Sequence, residues 1–463
     1  MAASTVYLRS TSRASWAAMS PAYGWGSRGA LGDRPSGHCA SARGQAFRLW
    51  PVHGYRGRLG CDGWRAEGCR MAEAADLGRT RTDGGAARLV YLDVLRVLIV
   101  GMVIVHHAAQ AYGPTGGFWP VKDAATSDLF RPFYTVNAAV GLGLLFLIAG
   151  FFTPRSCDRK GARRFLRERW VRIGVPLVFF IVAVNVPLVW LALGRPSLGA
   201  LVAALYDGAW QPAYLHLWFL GHLLLYTLAY VAVARVSAVG RLRRRTPLPP
   251  PGHGAILAFV GALVLVTWVV RWWFSVDDWI PLFFAVPAEP ANMAQYMSLF
   301  VVGVLAYRNS WFERIPRGVG VVWLCIALAA AAAVFSFQVL GLWTTVTATG
   351  GPDWRSALRV TLEILICAGL SVGLVVVLRE ALRRERPFMA AMARASYAAY
   401  ILHVYIVVGL QVAILQPAWP AGVKFLLVAV FGLLFSFGAA HLSGKVPGLR
   451  VLLGTAPRLR QQA

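Results

Sequence analysis

The stretch DVLRVLIVGMVIVHHAAQAY, Asp93 to Tyr112, decides the fold. It is long and apolar enough for one helix to cross a bilayer, which takes about 20 residues at 1.5 Å each. Yet it carries Asp93 and Arg96 near its start and His106 and His107 near its end. Ionisable side chains are costly in hydrocarbon, so each marks a pair, an interface or a site. Helical geometry sorts them. At about 100° per residue, Arg96 and His107 project from nearly the same face, about 16 Å apart along the axis, while His106 points about 80° away. Asp93 lies one turn before Arg96 and is placed to pair with it. Two readings stay open from these residues alone. The pair can simply be neutralised near an interface, with the histidines satisfied inside a bundle. Alternatively, a neutral histidine can serve as a general base.

The rest of the chain extends the pattern. It has 463 residues, 57% hydrophobic and 14% charged, and a mean hydropathy of +0.57. Soluble domains carry about 25% charged residues, so this balance predicts an all-α integral membrane protein. Apolar runs of membrane length recur at 89–112, 130–152, 171–193, 214–236, 254–274, 291–308, 319–341, 356–380, 392–416 and 422–444. That predicts a bundle of about ten transmembrane helices. The net charge of +26 sits mostly in alternate loops: TPRSCDRKGARRFLRERWVR, GRLRRRTPLPPPGHG, YRNSWFERIPR and REALRRERP. The loops between them, such as SVDDWIPLFFAVPAEP and QPAWPAG, are acidic or uncharged. This is the positive-inside bias, not a nucleic-acid footprint, and it predicts that both termini are cytoplasmic. Trp and Tyr near helix ends fit interfacial belts. Pro247 to Pro251 (PLPPP) reads as a stiff connector.

Residues 1–70 are rich in Arg, Gly, Ser and Trp, without helical or strand period and without the apolar core of a secretory signal. They are expected to be disordered, and Met71 is a plausible translation start, which would make the upstream segment a mis-assigned extension. Residues 71–88 read as a short cytoplasmic lead, 89–446 as the membrane domain and 447–463 as a cytoplasmic tail. The six cysteines show no CxxC or Cys/His metal spacing, so neither a metal site nor a disulfide framework is expected.

Six stretches in order resemble the integral-membrane acyltransferase-three family. Arg96 and His107 match its Arg, ten residues, His signature on the first membrane helix. LLFLIAGFFTPR (144–155) resembles its second-helix end, with Ala149 where the family usually has Ser. RFLRERWVRIGVPL contains Arg169 and Arg172, which match an Arg-x-x-Arg pair ahead of a Pro. HLWFLGHLLLY (216–226) and QYMSLFVVGVLAYRNSWFERIP are similar to the branch that includes glucan succinyltransferases. SYAAYILHVYIV (396–407) resembles a late helix with Tyr400 and His403. The likeness spans about residues 90–446.

The resemblance implies transfer of an acyl group, acetyl or succinyl or longer, from cytoplasmic acyl-CoA to a hydroxyl of a carbohydrate-containing acceptor, often outside the membrane. Acyl-CoA is then a co-substrate, with no bound cofactor. It implies that His107 is catalytic, as a base or as a transient acyl carrier. Arg96 would orient the pantetheine or stabilise charge on the thioester oxygen. Arg169 and Arg172 would hold CoA phosphates through bidentate hydrogen bonds, although loop topology by itself explains most of the arginines nearby. His216 and Trp218 open the fourth helix, where a sugar could stack on the indole; an aromatic-belt role is the bland alternative.

Ser396, Tyr400 and His403 share a helical face, and helix packing is the default reading for them. Glu363, one turn after Arg359, reads as half of an internal ion pair; His222 and His441 read as packing. The expected setting is a bacterial plasma membrane, with the lipid bilayer, acyl-CoA and a glycoside acceptor as partners and no nucleic acid. The competing class is a polytopic transporter or flippase of a sugar-containing substrate. No matched pair of Gly- or Pro-broken helices, the usual pointer to a transport site, supports it.

Overall fold

The computed structural model describes residues 89–114, 119–206, 213–236, 247–283, 285–382, 384 and 386–454. The predicted extension 1–70 and lead 71–88, and the last nine residues of the predicted tail, lie outside them. The described chain is almost entirely helical; its one sheet among these residues is a two-stranded hairpin. In chain order the helices are α1 Val90–Ala109, α2 Phe130–Lys160, α3 Ala162–Ala192, the short α4 Leu198–Ala204, and α5 Trp218–Val236, entered by a 3-10 turn at Leu215–Leu217. Then come α6 His253–Val270, the hairpin β1 Ile280–Leu282 with β2 Val286–Ala288, α7 Pro290–Arg308 and the single turn α8 Trp311–Arg314. The chain continues with α9 Arg317–Val339, the single turn α10 Trp343–Val346, α11 Trp354–Ala381, α12 Pro387–Ala413, α13 Ala421–Ser443 and α14 Pro447–Leu452.

Nine helices among the described residues are long and apolar enough to cross a membrane. The tenth predicted span, α7, is a helix of 19 residues but less apolar than the others. It packs in the interior against α2 and faces its Gln295 inward, where the side chain donates to the Ala139 carbonyl at 2.6 Å. Among its large apolar side chains only Met297 and Val301, one turn apart, stand exposed, so it needs little lipid-facing apolar surface. Its contact with α2 is a backbone approach: a methyl group added at Gly150 would come within 2.1 Å of the Phe300 carbonyl oxygen, and one at Gly303 within 2.1 Å of that of Leu147. Small residues at crossings let helices meet where lipid offers no hydrophobic drive.

The third span begins at Ala162, nine residues earlier than the apolar run, because the basic segment is itself helical and continuous with it. Two π-helical turns interrupt α3, Trp170–Gly174 and Phe180–Asn185. Each leads into a proline, Pro176 and Pro187, which cannot donate to the carbonyl four residues back. The carbonyl left short by Pro176 is that of Arg172, and the Tyr397 hydroxyl of α12 donates to it at 2.6 Å. Asn185, in the second π turn, links α3 to α12 by accepting from the Tyr405 hydroxyl at 2.8 Å.

Successive spans run in opposite directions, so one face of the bundle gathers the arginine-rich ends. There Arg308 pairs with Asp158 and donates to the Tyr230 hydroxyl, and Lys160 pairs with Glu168. We call this the basic face. At the opposite face the loop after α1 is pinned by a buried ion pair 2.7 Å long between Asp123 and Lys424, whose side chains are 1% and 2% exposed. The predicted stiff connector at 247–251 is tied down at Leu248, whose N–H donates to Asn309 at 2.8 Å.

Candidate active site

Three histidines from three helices meet at the opposite-face end of the bundle. His107 ends α1, His403 lies in α12 and His216 in the 3-10 turn before α5. His107 Nδ1 and His403 Nε2 are 3.0 Å apart, and the His403 and His216 rings stand edge to face at 4.7 Å. His403 and His216 are buried.

Backbone carbonyls assign the protons. His403 Nδ1 is 2.6 Å from the Tyr400 carbonyl oxygen, which only accepts, so Nδ1 carries the hydrogen. In a neutral ring Nε2 is then the acceptor, and His107 Nδ1–H must donate to it. His107 is thereby held in the Nδ1–H tautomer, which leaves its distal Nε2 with a free lone pair. His216 Nε2 likewise donates to the Ile401 carbonyl at 3.0 Å. Its Nδ1 is buried without a hydrogen-bond partner.

A second clamp fixes the ring plane. Trp119 stacks on His107 at 5.0 Å with 18° between the planes. The Trp119 indole N–H donates to Gln411 Oε1 at 2.8 Å, and Gln411 Nε2 donates back to the His107 and Ala108 carbonyls, each at 3.1 Å. Those carbonyls are at the end of α1, where the regular helical N–H partners run out, and the Gln110 N–H also reaches that of His107, at 3.2 Å.

His107 faces a cavity of about 440 Å³, within the range of small-molecule sites. His106, Trp119, Tyr134, His216 and Tyr400 share its wall around His107. His106 thus reaches the cavity too, with Nε2 2.9 Å from Gln110 Nε2. Trp218 lines it, its ring 5.2 Å from that of Trp279. The cavity then runs on to Asp277, Glu289, Trp343, Arg359 and Glu363. Glu289 precedes α7, is 8% exposed, and its carboxyl is pushed up to about 7, chiefly by burial.

The structure therefore gathers His107, His216, Tyr400, Trp218 and Glu363 around one cavity, with His403 hydrogen-bonded to His107 behind the lining. Tyr400 is buried, and its hydroxyl donates to the His216 carbonyl at 2.5 Å. Ser396, on the same face, donates to the Met392 carbonyl and serves its own helix. Arg96 lies elsewhere, near the basic face, 3.3 Å from Asp93 and with its guanidinium 5.4 Å from the centre of the Phe152 ring. Arg169 reaches the neighbouring Thr153 at 3.4 Å and lies 5.2 Å over Phe165. Arg172 sits beside Tyr397 through its carbonyl. The three arginines thus belong to the basic face and not to the histidine cluster. His222 packs as expected, with Nε2 2.9 Å from the Pro287 carbonyl oxygen, whereas His441 is exposed on the outside of α13 and packs no core.

Sequence reasoning missed Trp119, Gln411, Arg271 and the Asp123–Lys424 pair. Arg271 and Lys424 had a signal, since each is a lone cation inside a predicted span. Trp119 and Gln411 had none. Among the described residues no group of His, Cys, Asp or Glu is arranged to hold a metal ion.

The family model described as an acyltransferase domain, of the acyltransferase-3 family, matches residues 89–441. Neither a curated protein nor a solved structure matches the chain.

Proposed function

The chain belongs to that acyltransferase family, and from this premise we propose that it is a membrane O-acyltransferase carrying an acetyl or succinyl group from cytoplasmic acyl-CoA to a hydroxyl of a carbohydrate-containing acceptor on the opposite side of a bacterial plasma membrane. The observation that carries this reading is His107, held through Nδ1 by His403 and lining a cavity at the face opposite Arg96, Arg169 and Arg172.

In this reading the basic face is cytoplasmic. Arg169 and Arg172 hold the CoA phosphates there, and Arg96 guides the pantetheine arm along α1. The arm spans the three turns of α1, about 16 Å, between Arg96 and His107. His107 Nε2 takes the proton of the acceptor hydroxyl as that oxygen attacks the thioester carbonyl. The carbon–sulfur bond then breaks, and the CoA thiolate leaves with the proton held by His107. His403 keeps Nε2 proton-free until the acceptor arrives and shares the positive charge that develops on the imidazole. The likeness to glucan succinyltransferases makes a glucan the first acceptor to examine.

The test is mass spectrometry of surface and periplasmic glycans from cells expressing the wild type or His107→Ala at equal levels. An acyl mass increment with the wild type alone is expected, and it identifies both the acyl group and the acceptor. An increment of equal size with the variant removes His107 from the chemistry.

A further inference from the structure

The reaction at His107 makes no use of the far end of the cavity, where the most strongly charged groups of the bundle interior are gathered. Glu363 in α11 receives a guanidinium on each oxygen: Arg271 donates to Oε2 at 2.7 Å and Arg359 to Oε1 at 2.8 Å. Arg271 is 2% exposed, donates also to Asn292 Oδ1 at 2.9 Å, and keeps Nη1 buried without a partner. Buried ion pairs contribute little net stability, because desolvation offsets their attraction. In a membrane interior they mark function by default. The network holds Arg359 rigid against the cavity, its guanidinium 5.7 Å over the Trp343 ring.

The loop between α6 and α7 supplies the facing wall. Asp277 stands there in the left-handed region, at φ 75°, and its N–H points to Glu289 Oε1 at 3.5 Å. Trp279 projects from the same loop against Trp218, and Trp218 in turn lies 5.9 Å from the Tyr296 ring.

The charge count separates ligand classes. Two guanidiniums, Arg271 and Arg359, face the carboxyls of Asp277 and Glu363, and burial pushes the Glu289 carboxyl up to about 7, where it can both donate and accept. A phosphate or carboxylate ligand calls for excess guanidinium. A cationic ligand calls for excess carboxylate or an aromatic cage. A wall of indole faces with balanced donors and acceptors suits an uncharged ring that has an apolar C–H face and hydroxyls at its edge. We infer that this end of the cavity is a subsite for a neutral sugar unit of the acceptor, stacked on Trp279 and hydrogen-bonded by Arg359 and Glu289, next to the unit whose hydroxyl reacts at His107. The inference rests on the sugar-acceptor reading above and adds which part of the acceptor is recognised. Binding a non-reacting unit of the substrate is a means of placing the reacting hydroxyl.

The experiment uses the full chain in nanodiscs and three β-1,4-linked disaccharides of one skeleton: cellobiose, its uronic acid and the glucosamine dimer. Tryptophan fluorescence reads binding. Cellobiose is expected to quench saturably and to bind at least about tenfold more tightly than either charged analogue. Trp279→Ala weakens it about tenfold and Trp279→Phe restores most of it. Trp279 is on a loop, so these variants keep the helices intact.

Preference for a charged disaccharide overturns the subsite. So does an unchanged affinity in Trp279→Ala, and so does the absence of saturable binding by all three probes. Consumption of acyl-CoA in the presence of a whole-cell glycan extract, measured on the same preparations, separates this inference from the broader reading. If His107-dependent consumption persists while cellobiose fails to bind, the subsite falls and the acyltransfer to sugar stands. If no glycan supports consumption, both fall.

Discussion

Replacing His403 tests the positioning logic of the site most directly. Its Nε2 is the acceptor for His107 Nδ1–H at 3.0 Å, and its own Nδ1–H is anchored on the Tyr400 carbonyl at 2.6 Å. His403→Ala leaves the His107 Nδ1–H without an acceptor inside the protein. An orphaned buried donor costs about 1–3 kcal/mol, and His107 escapes that cost by moving its proton to Nε2 or by rotating. Either response removes the lone pair from the cavity. About 2 kcal/mol corresponds to about a thirtyfold fall in kcat. Loss of the base itself in His107→Ala costs about 10²–10⁴-fold, so the His403 effect should be the smaller one. His403→Gln offers an amide oxygen to His107 and an N–H to the Tyr400 carbonyl, and should recover most of the loss. The assay is steady-state acyl-CoA consumption by protein in liposomes, with kcat and KM separated. The expected order of kcat is wild type, His403→Gln, His403→Ala, His107→Ala, with the KM for acyl-CoA unchanged. A folded His403→Ala protein within about threefold of wild-type kcat, a loss confined to KM, or a Gln variant no better than Ala would each refute the tautomer argument.

Three further outcomes follow from other contacts. Lys424→Ala orphans a carboxylate buried at 1% exposure and should destabilise the protein by about 3–5 kcal/mol, while the paired change Asp123→Asn with Lys424→Met should recover most of it in thermal unfolding. Gly303→Ala forces a methyl group onto the Leu147 carbonyl and should cost about 1–3 kcal/mol or more by overpacking, read as a lower melting temperature at unchanged KM. Glu289 has its folded pKa raised to about 7. Its contribution is therefore fully present below the unfolded value near 4.5 and is lost as pH rises through about 7, by an amount of order 3 kcal/mol. Glu289→Gln should match the wild type in melting temperature near pH 4.5 and exceed it at pH 8.5; a constant offset at both pH values would show that Glu289 does not titrate as described.

Much of the site could be read from single helices. Arg359 and Glu363, one turn apart, pair as their spacing indicates at 2.8 Å. Tyr400 and His403 share the face predicted for them, but packing accounts only for Tyr400; His403 turned out to touch His107. The shared face of Arg96 and His107 is a property of one helix. Their separation of about 16 Å along the axis set Arg96 towards the basic end, but it did not indicate that Arg96 would rest against Phe152 or that His107 would meet two histidines from other segments.

What the sequence by itself determined is what bilayer physics makes local. Apolar length places the spans, and loop charge sets their predicted orientation. Transfer free energy and backbone hydrogen bonding are settled within each span, so neighbouring residues suffice to read them. Only the tertiary structure decided the partners. His107 and His403 are 296 residues apart, Trp119 and Gln411 292, Asp123 and Lys424 301, and Arg271 and Glu363 92. Between helices the drive is not hydrophobic; it comes from shape, small residues at crossings and the satisfaction of a few polar groups. Those depend on which faces meet, and no periodicity along one helix records that.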